Sequence, residues 1–438
     1  MTSVVPDLTT PRRARKLTVA ERTVASGLRV IVIRKPGVPL AEVRLRIPFL
    51  GTGAGHPARA GLLSSTLLTG AADLDRTGLA AAIQGLGGDL NVSVDADRLA
   101  VTGNVLSTGL TGLFQLLAKV LTEARFARDD VEAERAREIE RLAIARSRSG
   151  TIASEALARR MWGEHPYAVD LPQVDAVRAT TATQVRSLYR DRVRPDGAVL
   201  VIVGDLSPAR VLDQVEAALG EWTGERRSGR APKLPTPQGG PLLVVDRPGA
   251  VQSSLRMGTA AVTRTDDRYP ALQLANLVFG GYFSSRWTEN IREDKGYTYG
   301  PHSRIDHHVL GSTLMLDVEV ATEVTGPSWL ETAYELGRIA SLPVSESELS
   351  SVRQYAIGTL ALSTSTQAGL ASTIAALSVF DLGLDWILEH PKRLQKVTVD
   401  DVATAAREFF APSRFTSVVV GDAGQIAAPL AALVPIET

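Results

Sequence analysis

Apolar residues recur along this chain with two different spacings, and the switch from one to the other marks out its elements. Short apolar runs at residues 41–48, 99–105, 253–257 and 314–320 have the length and character of strands. Helical spacing predicts helices over 110–122, 131–147, 183–190, 210–219, 269–278 and 346–362. Asp129 with Glu132 and Ser345 with Glu348 stand at capping-box spacing, in which side chain and backbone at a helix start satisfy each other. Strands and helices alternate irregularly, with hairpin-like strand pairs. That order predicts an α+β fold rather than a doubly wound parallel sheet. No G-x-G-x-x-G follows a strand and no P-loop occurs, so a nucleotide-binding fold has no support.

The pattern is written twice. An apolar strand ending in a basic residue and a proline opens the first half, from Gly27 to Pro36, and another ending in Arg247-Pro248 opens the second. Apolar strands ending in Gly-Asp close both halves, at Gly204-Asp205 and Gly421-Asp422. Pro36 and Pro248 are 212 residues apart and Gly204 and Gly421 are 217 apart, so the two landmarks share nearly one offset. An internal duplication of units of about 200 residues accounts for both. Between them, residues 223–241 carry Gly224, Gly229, Pro232, Pro235, Pro237, Gly239 and Gly240, the composition of a linker. The expected organisation is a flexible tail (1–16), an N-terminal half (17–222), this linker (223–241) and a C-terminal half (242–438).

Composition narrows the classes. At 438 residues with 44% hydrophobic and 22% charged content, the chain reads as a soluble protein of two to four domains. Lys plus Arg equals Asp plus Glu at 48 each, which gives no electrostatic reason to expect nucleic acid or an anionic membrane as partner. Cysteine is absent, which excludes disulfides, Cys-ligated zinc, iron–sulfur clusters and a thiol nucleophile. Residues 1–16 lack an apolar signal core and no run of about 18 apolar residues occurs. A cytoplasmic location is expected.

The segment from Gly280 to Tyr299 carries the chemistry. Ser284 or Ser285 can cap a helix running through Arg292 to Lys295, and Gly296 sits where a left-handed residue ends a helix. Tyr297 and Tyr299 follow with strand parity and so share a face. Arg292 and Tyr299, seven residues apart, can then converge, and both donate hydrogen bonds of the kind that hold a peptide carbonyl and a developing oxyanion. The residues alone are more simply described by a solvated Arg292 paired with Glu289, and a Tyr299 that fills a sheet. Elsewhere, Ser363-Thr364-Ser365-Thr366 lies in no G-x-S-x-G. His56, His302, His307, His308 and His390 read as surface or loop histidines.

The segment 280–299 resembles the C-terminal substrate-binding signature of the pitrilysin/insulinase family of zinc peptidases. His165-Pro166-Tyr167, ahead of the helix over 183–190 and the strand closing the first half, is similar to a structural turn of that family. The resemblance implies two homologous halves, each an antiparallel or mixed sheet with helices packed on one face, together forming half of a clam-like chamber. It implies that Arg292 and Tyr299 bind and polarise the scissile peptide, with Gly280, Gly281, Ser284, Ser285 and Arg286 shaping the approach to the helix. Gly300 stands where the family has a serine.

The family carries H-x-x-E-H on an early helix, and no such motif occurs here. Its two histidine positions fall on Gly61 and Ser65 and its glutamate on Ser64, none of which supplies an imidazole or a general-base carboxylate. Glu134 occupies a place similar to the family's third ligand, in a stretch whose alternating charges read as a solvated helix face. The resemblance therefore implies a chain with no metal of its own, partnered by a homologous zinc-bearing subunit and acting on unfolded peptides. A catalytically inactive scaffold and a peptide-binding, chaperone-like homodimer of the same fold are the alternatives.

Overall fold

The computed structural model describes residues 17–226 and 231–438; the tail expected over residues 1–16 lies outside the described residues. Six strands make the first sheet: β1 (Thr18–Thr23), β2 (Arg29–Arg34), β3 (Leu40–Pro48), β4 (Gly88–Val94), β5 (Arg98–Leu106) and β6 (Val199–Gly204), in the order β1-β2-β6-β3-β5-β4. Six more make the second: β7 (Leu242–Asp246), β8 (Gln252–Ala261), β9 (His302–His308), β10 (Gly311–Ala321), β11 (Thr416–Gly421) and β12 (Ile436–Glu437), in the order β9-β10-β8-β11-β7-β12.

The duplication is visible strand by strand. The order β2-β6-β3-β5-β4 repeats as β7-β11-β8-β10-β9, and the parallel pair β2/β6 recurs as β7/β11. Only the outer strand differs, since β1 runs antiparallel to β2 while β12 runs parallel to β7. Arg44 and Arg256 add a third landmark at the 212-residue offset. Each donates Nη1 to the carbonyl before it and to a neighbouring strand: Arg44 to Val43 (2.9 Å) and Gly103 (2.8 Å), Arg256 to Leu255 (2.9 Å) and Val318 (3.4 Å). The fold is α+β with two homologous halves.

Each sheet packs one face on helices of its own half. Val43, Leu45 and Ile47 of β3 meet Leu113, Phe114 and Leu117 from the helix Leu110–Glu123. Strands β6 and β11 are buried at every residue, so their opposite faces also need apolar cover. The halves exchange helices to supply it. The helix Ser149–Trp162 of the first half lays Ala153, Leu157 and Met161 on Val418 and Val420 of β11. The helix Gln367–Leu377 of the second half lays Leu370, Ala371 and Ile374 on Ile31, Ile33, Val201 and Val203.

A polar seam joins the halves where β9 turns into β10. Tyr167 Oη donates to Asp97 at 2.5 Å, and Asp97 accepts from the Val309 N–H at 3.0 Å. The Leu310 N–H in turn donates to Tyr167 Oη at 3.1 Å. Burial alone would raise the Asp97 carboxyl, but His308, Tyr167 and the Val309 amide outweigh it and hold the group below its ordinary range.

Two helix starts behave differently. Ser345 and Glu348 form the expected capping box. Asp129 and Glu132 do not: the helix Arg128–Arg146 starts after Ala127, Glu132 pairs with Arg128 at 2.8 Å, and Asp129 stays in the first turn, where a carboxylate meets the positive end of the helix dipole. No single described helix is long and apolar enough to cross a membrane. Gln367–Phe380 and Leu384–Lys396 pass that test only together, bent by 89°, and the first of them is the exchanged helix buried against the first sheet.

Candidate functional site

The segment 280–299 is built on a rigid floor. Trp287 is fully buried, stacks on Phe279 with centroids 5.3 Å apart, and donates Nε1–H to Thr332 Oγ1 at 3.1 Å. Arg286 makes a bidentate pair with Glu348 at 2.8 and 3.0 Å, tying the segment to the helix Glu346–Ser363. The Arg286 guanidinium holds the Glu348 carboxyl down to about 2. Asn290 donates to Glu331 (3.0 Å) and Glu335 (2.9 Å), and Lys295 pairs with Glu331 at 3.1 Å, so the helix Thr325–Ser341 holds the other side.

The helix itself departs from expectation. It runs as α-helix only over Arg286–Thr288 and continues as a wider π-turn over Glu289–Asp294, a local geometry frequent at functional sites. Ser285 stands at its N-cap, yet the hydroxyl contacts Thr288 Oγ1 at 2.9 Å rather than a backbone amide, and Ser284 makes no cap either. The buried Ser285 thus ties one turn together from inside. Gly296 does end the helix in the left-handed region, at φ +64°. Gly280 and Gly281 lie in a second π-turn, Leu277–Gly281. The need for glycine there is close approach, since a Cβ on Gly280 would stand 2.8 Å from the Trp287 ring and one on Gly281 2.8 Å from Asn276 Nδ2.

Tyr297 and Tyr299 are not on a strand. The chain after Gly296 is irregular and β9 begins only at His302. Arg292 and Tyr299 nevertheless converge. The Arg292 guanidinium lies 4.3 Å from the Phe283 ring centroid and 5.2 Å from that of Tyr299. Its carboxylate neighbour is Glu293 at 3.4 Å, not Glu289. Tyr299 is 90% exposed, and its hydroxyl makes no hydrogen bond among the described residues. The pair therefore presents a cation and a free phenol on an open surface beside the exposed Phe283, with Gly300 next to it and nothing within 4 Å of where its Cβ would stand. Phe283 was not singled out in the sequence; its exposure in an otherwise well-packed segment is a signal that only the structure supplies.

On the early helix His56–Thr66, Gly61, Ser64 and Ser65 lie along one side. Ser65 Oγ donates to the Leu62 carbonyl at 3.2 Å. Glu134 is engaged by Arg76 at 2.9 Å and Arg137 at 2.5 Å. Among the described residues, no group of three His, Asp or Glu side chains is placed to hold a metal ion.

Of the five histidines expected at the surface or in loops, His302 is exposed, whereas His56 and His390 are buried and His307 and His308 are half-buried on a strand. His56 Nε2 donates to the Phe49 carbonyl at 3.0 Å, and burial with Arg192 nearby pushes its pKa down to about 4. His390 is buried in a helix, stacked on Trp386 at 4.2 Å and bonded to Gln273 at 2.7 Å. His307 lies on β9 against Ser312 at 2.8 Å, and burial pushes it down to about 3. Their positions follow core packing rather than chemistry.

Two homologous α+β halves, an exposed Arg/Tyr pair and an early helix without zinc donors at Gly61, Ser64 and Ser65 thus define the class. Residues 59–173 match the family model described as insulinase (peptidase family M16), and residues 179–355 match the one described as the peptidase M16 inactive domain. The chain is similar to an uncharacterized zinc protease of Mycobacterium tuberculosis, 25% identical over 431 residues and covering 94% of this chain and 97% of that one. A probable inactive metalloprotease of Bacillus subtilis is 32% identical over 155 residues, 34% of this chain and 35% of that one. Among solved structures, a peptidase M16 inactive domain from Pseudomonas fluorescens superposes with a TM-score of 0.82 at 22% identity, covering 92% of this chain and 98% of that one. A protease from Helicobacter pylori superposes at 0.85 and 15% identity, over 92% and 100%. The chain belongs to the pitrilysin/insulinase family. Zinc, which the family implies, does not fit its early helix: Gly61 offers no side chain, Ser64 and Ser65 offer only hydroxyls, and the Glu134 carboxylate is already neutralised by two guanidinium groups.

Proposed function

We propose that this chain is the non-zinc subunit of a heteromeric zinc endopeptidase of this family, and that Arg292 and Tyr299 bind the carbonyl of a peptide held against a homologous, zinc-bearing partner. The observation that carries the reading is the packing of the Arg292 guanidinium against the ring of an exposed Tyr299, whose phenol has no protein partner among the described residues, in a chain whose own zinc positions lack donors. Two such donors oriented before the reaction stabilise charge on the carbonyl oxygen as it becomes an oxyanion. Removing either costs the complex roughly 2–4 kcal/mol of transition-state stabilisation. Zinc and the general-base carboxylate belong to the partner.

On this reading the N-terminal half (17–222) and the C-terminal half (242–438), joined through 223–241, form one side of a chamber that admits unfolded peptide, in the cytoplasm. Relatives described as zinc proteases support the catalytic setting. The relative described as an inactive metalloprotease and the match to the inactive domain favour a second reading, a scaffold or peptide-binding homodimer. Co-expression with each zinc-bearing homologue of the same genome separates the two. Co-purification with zinc in the complex and peptide cleavage only by the pair support the first. A stable homodimer that ignores every homologue replaces it with the second.

A further inference from the structure

A cavity of about 480 Å³ lies far along the chain from the Arg292/Tyr299 pair, at the junction of the first sheet, the linker and the β9–β10 turn. Its charged lining is Arg29, Arg46, Arg98, Arg226, Asp97 and Asp381, four guanidinium groups against two carboxylates. Both carboxylates are already committed. Asp97 is held by Tyr167 and the Val309 amide, and Asp381 meets Arg29 at 3.3 Å. Arg29 also pairs with Glu21 at 2.7 Å, and Arg98 with Asp95 at 3.0 Å.

Two guanidinium groups remain. Arg46, on the face of β3 opposite the helices of its own half, makes no hydrogen bond or ion pair among the described residues, and its Nε is buried without a partner. Arg226 is in the same state, with a buried and unpartnered Nε. Burial, followed by the nearby Arg98, lowers the Arg46 pKa against a smaller opposing pull from Asp95. Leaving such charges unpaired is unfavourable, and a bound anion removes the penalty. The remaining wall is apolar, with Val199, Val309 and Leu310 facing the same space.

We propose that this cavity is a binding site for a small organic anion, in which Arg46 and Arg226 clamp an oxyanion head, carboxylate or phosphate, while Val199, Val309 and Leu310 cover an apolar body. Because Val309 and Leu310 come from the second half and Arg46 from the first, the occupied site also bridges the two halves. Neither zinc nor the Arg292/Tyr299 pair takes part, so the site stands or falls independently of the proposed catalysis.

The test is titration calorimetry on the full chain at low ionic strength, using N-acetyl-leucine for the carboxylate arm and phenyl phosphate for the phosphate arm. N-acetyl-leucine amide serves as the neutral control. One-to-one binding of at least one anion, with none of the amide, is expected, and the tighter arm identifies the head group. Arg46→Gln and Arg226→Gln should each weaken it by about tenfold or more, the loss typical of a charge-assisted hydrogen bond. Arg34→Gln, which removes an exposed pair with Asp205 outside the cavity, should change nothing. Absence of binding by either anion overturns the proposal. So does binding that persists unchanged in Arg226→Gln, a linker variant that leaves the first sheet intact even if Arg46→Gln unfolds it.

Discussion

Replacing Arg286 by Met tests how the Arg/Tyr segment is held in place. The substitution keeps the aliphatic stem and deletes two hydrogen bonds to Glu348, of 2.8 and 3.0 Å. Glu348 falls from an ordinary 4.5 to about 2 in the folded chain, chiefly through Arg286. That difference corresponds to roughly 3 kcal/mol before solvent screening, and about 2 kcal/mol after it, because Glu348 is more than a third exposed. A carboxylate with a depressed folded pKa contributes stability above its unfolded value and loses it as pH falls through the folded one. The wild-type advantage over Arg286→Met should therefore be about 2 kcal/mol at neutral pH and shrink between about pH 4.5 and 2. Urea unfolding at neutral pH and at successively lower pH, as far as both chains stay folded, reads it directly. A gap that is absent at neutral pH, or that stays constant into acid, refutes the assignment of Glu348 to Arg286.

Gly280→Ala should destabilise the chain by about 1–3 kcal/mol, because the new methyl meets the Trp287 ring, and near-ultraviolet circular dichroism should change with it. Tyr167→Phe should cost about 1–3 kcal/mol in thermal unfolding by stripping Asp97 and the Leu310 amide of their shared partner at the seam between halves. Tyr299→Phe should leave thermal unfolding within about 0.5 kcal/mol of wild type, since the phenol is exposed and unbonded.

Much of the architecture was legible because it rests on periodicity that the fold must obey. The strand 41–48 is observed at Leu40–Pro48, the helix 110–122 at Leu110–Glu123 and the helix 346–362 at Glu346–Ser363. The landmarks at Pro36/Pro248 and Gly204/Gly421 read as a duplication because β2/β6 and β7/β11 are the same parallel pair. The exchange of helices was not read. Its trace is present in the uninterrupted apolar runs of β6 and β11, but which helix covers them depends on contacts more than a hundred residues apart.

Local chemistry was the weaker guide around the candidate site. Ser285 has the type and position of a cap, yet burial beside Thr288 redirects its hydroxyl. A π-turn leaves no mark on apolar spacing, so Glu289–Asp294 reads as an ordinary helix. Asp129 and Glu132 have capping-box spacing, but Arg128 captures Glu132 first. The meeting of Arg292 with Tyr299 survives these differences because Gly296 at positive φ reverses the chain between them.

The proposed subunit role requires that Arg292 and Tyr299 act on a peptide held by a zinc-bearing partner. The direct measurement is kcat/KM for a quenched peptide with the reconstituted pair, comparing wild type with Tyr299→Phe and Arg292→Ala at equal assembly and equal zinc. Each variant should lower kcat/KM by the equivalent of roughly 2–4 kcal/mol, with assembly intact. Unchanged kcat/KM in both variants would contradict that role.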